Sequence, residues 1–200
     1  MIVQPRFTHG LAAIASLFVL SGALVAPNQA NAATQAKAMT LSFNGVVYVH
    51  RWSKNGQNEF TPENDKDLTR WQDMVTINVH DKARDGDQLA VLANSVLGNY
   101  QQHGKILRTD SKPRTPQRPA EHLIVAILGN GALLEAVFAR VVLVDGVGTI
   151  AVYSHRIYGK DASGPMGEWL KAKGPSIEQK LMSWDGIPPA STLKQLPQSQ

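Results

Sequence analysis

Residues 122–159, "HLIVAILGNGALLEAVFARVVLVDGVGTIAVYSHRIYG", predict the centre of the fold. Three apolar runs are separated by "GNG" at residues 129–131 and "DGVG" at residues 145–148, and both separators are typical of hairpin turns. Apolar side chains occupy both faces of these runs, so each face needs a covering layer. We therefore expect three antiparallel strands in the interior of a sheet.

The first covering layer is predicted at residues 85–104, "DGDQLAVLANSVLGNYQQHG". Asp85 or Asp87 suits the N-cap of a helix, and Gly104 suits a left-handed residue after its end. The apolar residues recur with the helical period and form one stripe, which comprises Leu89, Leu92, Ala93, Val96, Leu97 and Tyr100. This stripe predicts an amphipathic helix that covers one face of the sheet.

The second layer is predicted in two helical pieces at residues 164–173 and 176–184. Gly174 and Pro175 are expected to break the helix between them, and Ser176 with Gln179 fits a capping box for the second piece. Residues 188–200 form a proline-rich tail that we expect to be mobile. The domain itself is predicted to span residues 39–187.

The remaining strands are predicted upstream. Residues 39–52 fit a strand with a turn or bulge at Asn44 and Gly45, residues 71–80 alternate as a half-buried strand does, and residues 106–109 fit a short strand. The polar residues between the first two are predicted to be a loop. The whole pattern predicts an α+β fold, an antiparallel meander sheet of about five or six strands sandwiched between helices.

Residues 1–32 have the pattern of a cleaved signal peptide. One cation, Arg6, precedes a continuous apolar run, and small residues follow at residues 30–32. Residues 33–38 are then predicted to be a flexible leader. The sequence has no cysteine, which excludes a lipid-anchored N-terminus and disulfides. We expect a periplasmic protein, or a fully secreted one, with no stable membrane anchor after cleavage. Its net charge of +4 is too small to indicate a nucleic-acid partner.

The order of these elements resembles PsbP, the extrinsic photosystem II protein, and its exported bacterial relatives. The resemblance covers residues 71–184: the strand "MVTINV", the helix "LAVLANSVLGNY", a basic turn-rich segment, the three apolar strands and the helix "MGEWLKAK". It implies a non-catalytic accessory or binding module. It transfers no functional residue to this sequence.

The segment "YSHRIYG", residues 153–159, is the first candidate site. If Asp145 pairs with Gly148, then Arg140, Tyr153 and His155 share one face, while Glu135, Ser154, Arg156 and Tyr158 share the other. One interpretation is a polar pocket in which Arg140, Tyr153, His155 and Arg156 bind a small anionic ligand. The other is structural, with a Glu135–Arg156 ion pair two residues out of direct register. Arg140 is the most unusual residue, because its own face offers no nearby acid.

The basic proline-rich segment from residue 105 to residue 121 is the second candidate. It is either a solvated loop or a surface for an acidic partner protein or anionic lipid headgroups. Trp52, which ends a predicted strand, is an additional candidate interface anchor. The cations expected to contact a partner are Arg108, Lys112, Arg114 and Arg118.

Three functions remain open. The leading hypothesis is a non-catalytic accessory or binding protein for a protein partner or a small anionic ligand. The second is a small hydrolase or isomerase with His155 as general base and Tyr153 or Tyr158 assisting. The third is an inhibitor or immunity protein that acts through the basic segment. No catalytic motif is present, no two histidines have the spacing of a metal site, and no cofactor is predicted.

Overall fold

The computed structural model describes residues 38–199, in which one antiparallel sheet of eight strands lies between helices. The predicted signal peptide and almost all of the predicted leader lie outside the described residues. The strands are β1 (Thr40–Phe43), β2 (Val46–Lys54), β3 (Gln57–Pro62), β4 (Asp73–His80), β5 (Gly104–Lys112), β6 (Glu121–Gly129), β7 (Leu133–Val144) and β8 (Val147–Tyr158). The helices are α1 (Gly86–His103), α2 (Ser163–Ser183) and α3 (Ala190–Leu193).

The strand order across the sheet is β1-β2-β3-β4-β8-β7-β6-β5. The chain runs through β1 to β4 as a meander, crosses in α1 to the far edge and returns through β5 to β8. The α+β class and the antiparallel sheet are confirmed, but the predicted strand count is too low. Two tight turns explain the difference, because Asn44-Gly45 and Asn55-Gly56 all have positive φ and reverse the chain within two residues. The predicted loop after residue 52 therefore contains β3.

The hairpin between β7 and β8 turns at Asp145 and Gly146, whose φ angles are 48° and 73°. Val144 pairs with Val147, so the predicted register is wrong by two residues. Strand side chains alternate with a period of two, and a shift of two leaves each side chain on its predicted face. In the observed register Glu135 lies directly opposite Arg156, and Phe138 lies opposite Tyr153.

Helix α1 begins as predicted, because the Asp85 carboxylate accepts a hydrogen bond from the Gln88 backbone N–H at 2.8 Å. The predicted left-handed conformation of Gly104 is wrong: its φ is −172°, and the chain enters β5 without a loop. The predicted break in α2 is also wrong, since α2 continues through Pro175. Met166 and Leu181, on either side of the proline, are buried in one core, and their packing offsets the cost of about 3 kcal/mol that proline imposes inside a helix.

The sheet has a separate apolar core on each face. α1 covers one core, which includes Leu89, Val137 and Ile150. The other core lies under α2 and the C-terminal residues. Leu193 is 1% exposed and Leu196 is 9% exposed, so the residues after 187 are part of the packed domain rather than the mobile tail predicted from sequence. Within residues 38–199, no helix combines the length and apolar character needed to cross a membrane.

Candidate functional site

Arg140 lies on the α2 face of β7, with its side chain only 8% exposed. Its Nε and Nη2 donate to the Glu121 Oε2 atom at 2.9 and 2.7 Å. Its Nη1 donates to the carbonyl oxygens of Leu181 and Trp184 at 2.9 and 2.7 Å, at the C-terminal end of α2. The expectation that no acid lies nearby is wrong, because Leu123 pairs with Arg140 and places Glu121 on the same face. The guanidinium thus joins β6, β7 and α2.

Tyr153 and His155 lie on the α2 face of β8, where both contact Asp73 of β4. The Tyr153 hydroxyl donates to Asp73 Oδ1 at 2.6 Å, and His155 Nδ1 lies 2.9 Å from the same oxygen. The direct pairing of Asp73 with His155 in the sheet brings these groups together. Burial and the Asp73 carboxylate raise the pKa of the Tyr153 hydroxyl far above its usual value. Tyr153 therefore acts as a hydrogen-bond donor and not as a base.

The His155 ring is stacked against Trp169 of α2, with ring centroids 4.0 Å apart and an interplanar angle of 1°. His155 is 5% exposed, so it is held between the sheet and the helix. A carboxylate at Nδ1 fixes the ring orientation and leaves Nε2 as the acceptor, which is how a general base is positioned. Among residues 38–199, no hydroxyl nucleophile is hydrogen-bonded to this imidazole. Asp73 and His155 therefore provide a candidate general base, but among residues 38–199 no nucleophile accompanies it.

Arg156 and Tyr158 point to the opposite face of β8. Arg156 Nε donates to Glu135 Oε2 at 2.8 Å, and its guanidinium lies 3.8 Å from the centroid of the Trp71 ring. The Tyr158 hydroxyl donates to the Trp71 carbonyl oxygen at 2.7 Å. The predicted Glu135–Arg156 pair is therefore present, in direct register. Since Tyr158 and His155 lie on opposite faces, the two residues do not share one site.

Glu59 of β3 belongs to the same face as Arg156. Burial raises the pKa of the Glu59 carboxyl, while a hydrogen bond from Gln57 and the charge of Arg156 oppose that rise. Trp52 of β2, the candidate interface anchor, pairs with Glu59 next to a β-bulge and is half-buried. This position makes Trp52 part of the sheet surface rather than the end of a strand.

The described histidines do not converge on a metal. Within residues 38–199, no group of three or more His, Cys, Asp or Glu side chains is placed to hold a metal ion. His80 instead has a buried Nε2 atom without a hydrogen-bond partner in that part of the chain. Burial lowers the pKa of His80 below its ordinary value of 6.5, although the neighbouring Asp81 carboxylate opposes this change.

This buried imidazole gives a pH prediction. In the unfolded chain His80 takes up a proton near pH 6.5, whereas in the folded protein it does so only at lower pH. The unfolded state binds more protons, so stability falls as the pH is lowered through 6.5 toward the folded pKa. We expect His80→Phe to make the free energy of unfolding, measured by urea titration between pH 7 and pH 5, less dependent on pH. The control is His103→Phe, at the exposed end of α1; an equal change in both variants would contradict the prediction.

The basic segment forms one exposed surface, which we call the basic edge: strand β5 and the loop of residues 113–118. Every residue from 107 to 118 is exposed. Arg108 lies on β5 within the predicted strand, whereas Lys112 lies on β5 rather than in the predicted loop, because β5 extends beyond residue 109. In the loop, Thr115 and Arg118 exchange backbone hydrogen bonds of 2.8 and 3.3 Å across a tight turn. The turn holds Arg114 and Arg118 at the surface.

The cations of the basic edge differ in their partners. Arg108 lies 2.7 Å from Asp110 and 3.3 Å from Glu178 of α2, and Lys112 lies 3.6 Å from Glu121. Among residues 38–199, neither Arg114 nor Arg118 has a carboxylate within ion-pair distance. The loop thus carries two arginines without a direct ion pair in the described part of the chain, and the Asp85 and Asp87 carboxylates line the same hollow of about 330 Å³.

No family model and no curated protein sequence matches this chain. Among solved structures, it is similar to the Ran-binding protein Mog1p of Saccharomyces cerevisiae, with a TM-score of 0.43 and 11% identity over 72% of this chain and 92% of that chain. A mutant of protein Mog1 gives a TM-score of 0.44 and 11% identity over 74% and 92%. At these values the likeness assigns neither a family nor a function, and the PsbP-like resemblance stays a prediction.

Proposed function

We propose that this chain is an exported periplasmic protein, without catalytic activity of its own, that binds an acidic protein partner through the basic edge. The observation that carries the proposal is the pair Arg114 and Arg118, which lies on a continuous exposed surface and, among residues 38–199, outside any direct ion pair. Exposed charges of one sign steer an oppositely charged partner and orient it on contact. The export signal predicted in residues 1–32 supports the location.

The geometry of Arg140 favours a protein partner over a small anionic ligand. Glu121 and the carbonyl oxygens of Leu181 and Trp184 already surround the guanidinium. An anion at this position would have to displace the Glu121 carboxylate and the end of α2. Arg114 and Arg118 require no such rearrangement, because both are exposed and, within residues 38–199, neither is in an ion pair.

A catalytic role for His155 is the second candidate, and the Asp73–His155 hydrogen bond favours it. The predicted helpers are less suitable, since Tyr158 lies on the other face and the Tyr153 hydroxyl is committed to Asp73. This candidate requires turnover that is lost in His155→Gln while the fold is retained. An inhibitor would use the same basic edge as the binding protein, and differs only in what its partner does.

The test is the double variant Arg114→Glu/Arg118→Glu. We expect its capture of partner from a cell-envelope extract to fall by about tenfold or more, because steering and complementarity are both lost. Capture by the unchanged protein should weaken as salt rises, and the variant should lose this dependence. Capture is quantified on immobilised protein at several salt concentrations.

The matched control is Lys54→Glu/Lys66→Glu, which makes the same change in net charge at exposed lysines beside the β1–β4 half of the sheet. It should retain capture. An equal loss in both variants would mean that net charge alone matters, and unchanged capture in the Arg114/Arg118 variant would contradict the proposed function.

A further inference from the structure

Strand β5 is an open edge of the sheet. It pairs with β6 on one side and is the last strand in the order, and it is nine residues long. All of its residues except Ile106 are exposed. A long, exposed edge presents unpaired backbone N–H and C=O groups, which are a template for another strand.

A β-bulge at Leu107 sets the direction of the β5 side chains. The pairing with β6 shifts between Ile106 and Arg108. As a result Ile106 packs in the core under α1, whereas Arg108 and Lys112 turn to the other face, toward α2. Without the bulge, Ile106 and Arg108 would share a face. The bulge thus lets one strand anchor the sheet and present cations beside α2.

The cations line a hollow between β5 and α2 of about 300 Å³. Leu123, Pro175 and Met182 form its apolar part, Arg108 and Lys112 its basic part, and Asp110 and Glu178 its acidic part. Both cations are about half exposed, so their ion pairs are weak and a partner's carboxylate can replace those acids at little cost. In strand addition, backbone hydrogen bonds supply affinity while pockets for alternate side chains supply specificity. This hollow lies where the alternate side chains of an added strand would be placed.

The charged side chains of β5 indicate which kind of strand could pair with this edge. Arg108 and Lys112 are four residues apart on one face, with Asp110 between them. A strand with acidic residues at the same spacing and an uncharged residue opposite Asp110 complements this pattern. A second copy of β5 paired about Asp110 would place Arg108 opposite Lys112 and Asp110 opposite Asp110, and like charges across a strand pair are destabilising. An offset of two residues would instead place a cation opposite Asp110, and the dimer outcome of the experiment below tests that alternative.

We propose that β5 accepts an extended acidic peptide segment of the partner as a ninth strand, with carboxylates spaced four residues apart that contact Arg108 and Lys112. This inference rests on the proposed function and specifies how the partner is held. The β5 cations then favour an acidic strand over a basic one.

The probe is a blocked nine-residue peptide of alternating valine and polar residues, with glutamate at its third and seventh positions and threonine at the other polar positions. Two further peptides carry backbone N-methyl groups on alternate residues, one peptide for each edge of the strand. We expect the unmodified peptide to bind the intact chain and to slow amide hydrogen exchange in β5. Methylation of the docking edge should weaken binding by about tenfold or more, since several hydrogen bonds are lost, while methylation of the other edge should have little effect.

The outcomes separate this inference from the proposed function. Equal binding of both methylated peptides would overturn strand addition, and a loss of that binding in Arg114→Glu/Arg118→Glu would still support the basic edge as a binding surface. Absence of binding by the unmodified peptide would also overturn the inference. Dimers that form without peptide and protect the β5 amides would identify a second copy as the occupant and overturn it as well.

Discussion

Glu121→Leu is expected to lower the free energy of unfolding by about 3–5 kcal/mol, because it leaves the Arg140 guanidinium buried without its carboxylate. The side chains of both residues are less than a tenth exposed, so water cannot replace the lost partner. A domain of this kind has a total stability of only about 5–15 kcal/mol. The loss would be measured by urea titration monitored through tryptophan fluorescence.

Two variants make this result interpretable. Glu121→Leu with Arg140→Met removes both charges, and we expect it to regain most of the loss; the Leu181 and Trp184 carbonyl oxygens remain without their donor, so recovery is incomplete. Asp81→Leu breaks an exposed pair with Lys194 and should change stability little. A small loss in Glu121→Leu, equal to that of Asp81→Leu, would show that the Arg140 site is hydrated and open to a ligand.

Gly104→Ala is expected to destabilise the sheet edge. A Cβ atom at this position would lie 2.1 Å from the Ile127 carbonyl oxygen and 2.7 Å from Leu128 Cδ2. The first contact is with backbone, so relief requires movement of β5 away from β6. Overpacking typically costs about 1–3 kcal/mol, and we expect the upper end because no flexible side chain can absorb the contact. Hydrogen exchange should accelerate first in the β5 amides.

Gly98→Ala is the matched control, since Gly98 lies inside α1 and its added Cβ would meet no atom within 4 Å beyond the backbone of its own helix. Alanine is the better helix former, so this variant should be slightly more stable than the parent chain. If Gly104→Ala were as stable as Gly98→Ala, with unchanged exchange in β5, the close approach of Gly104 to β6 would be contradicted.

The sequence predicts the fold class because its strongest signals are local. Alternating and continuous apolar runs identify β4, β6, β7 and β8, and the helical stripe identifies α1. The polar β3 was missed since only Phe60 gives it an apolar side chain, although Asn55-Gly56 carries the signal for a tight hairpin turn. Pro175 gives a false signal for a helix break. Proline disfavours a helix interior locally, but the tertiary packing of α2 outweighs that local preference.

The candidate site depends on contacts between residues that are far apart in the sequence, which local sequence patterns do not predict. Asp73 stands at the beginning of a strand that was predicted, and Trp169 stands in a helix that was predicted, yet neither was connected to His155. That connection needs the pairing of β4 with β8, which the order of the elements does not specify. Glu121 likewise lies 19 positions from Arg140 in the chain, and only the β6–β7 register brings the two together. Arg114 and Arg118, in contrast, are apparent from the sequence, because a basic proline-rich segment predicts exposed cations without any knowledge of tertiary contacts.

The crossing of α1 from β4 to β5 has a consequence for how the chain folds. Within β1–β4 and within β5–β8, each strand pairs with its neighbour in sequence, and only the β4–β8 pairing joins distant segments. There Asp73 and His155 meet across 82 positions of the chain. Loop-closure entropy, which increases with the length of chain enclosed, is therefore concentrated at one seam of the sheet. The hydrogen bonds of Asp73 with Tyr153 and His155 stabilise one end of the β4–β8 pairing.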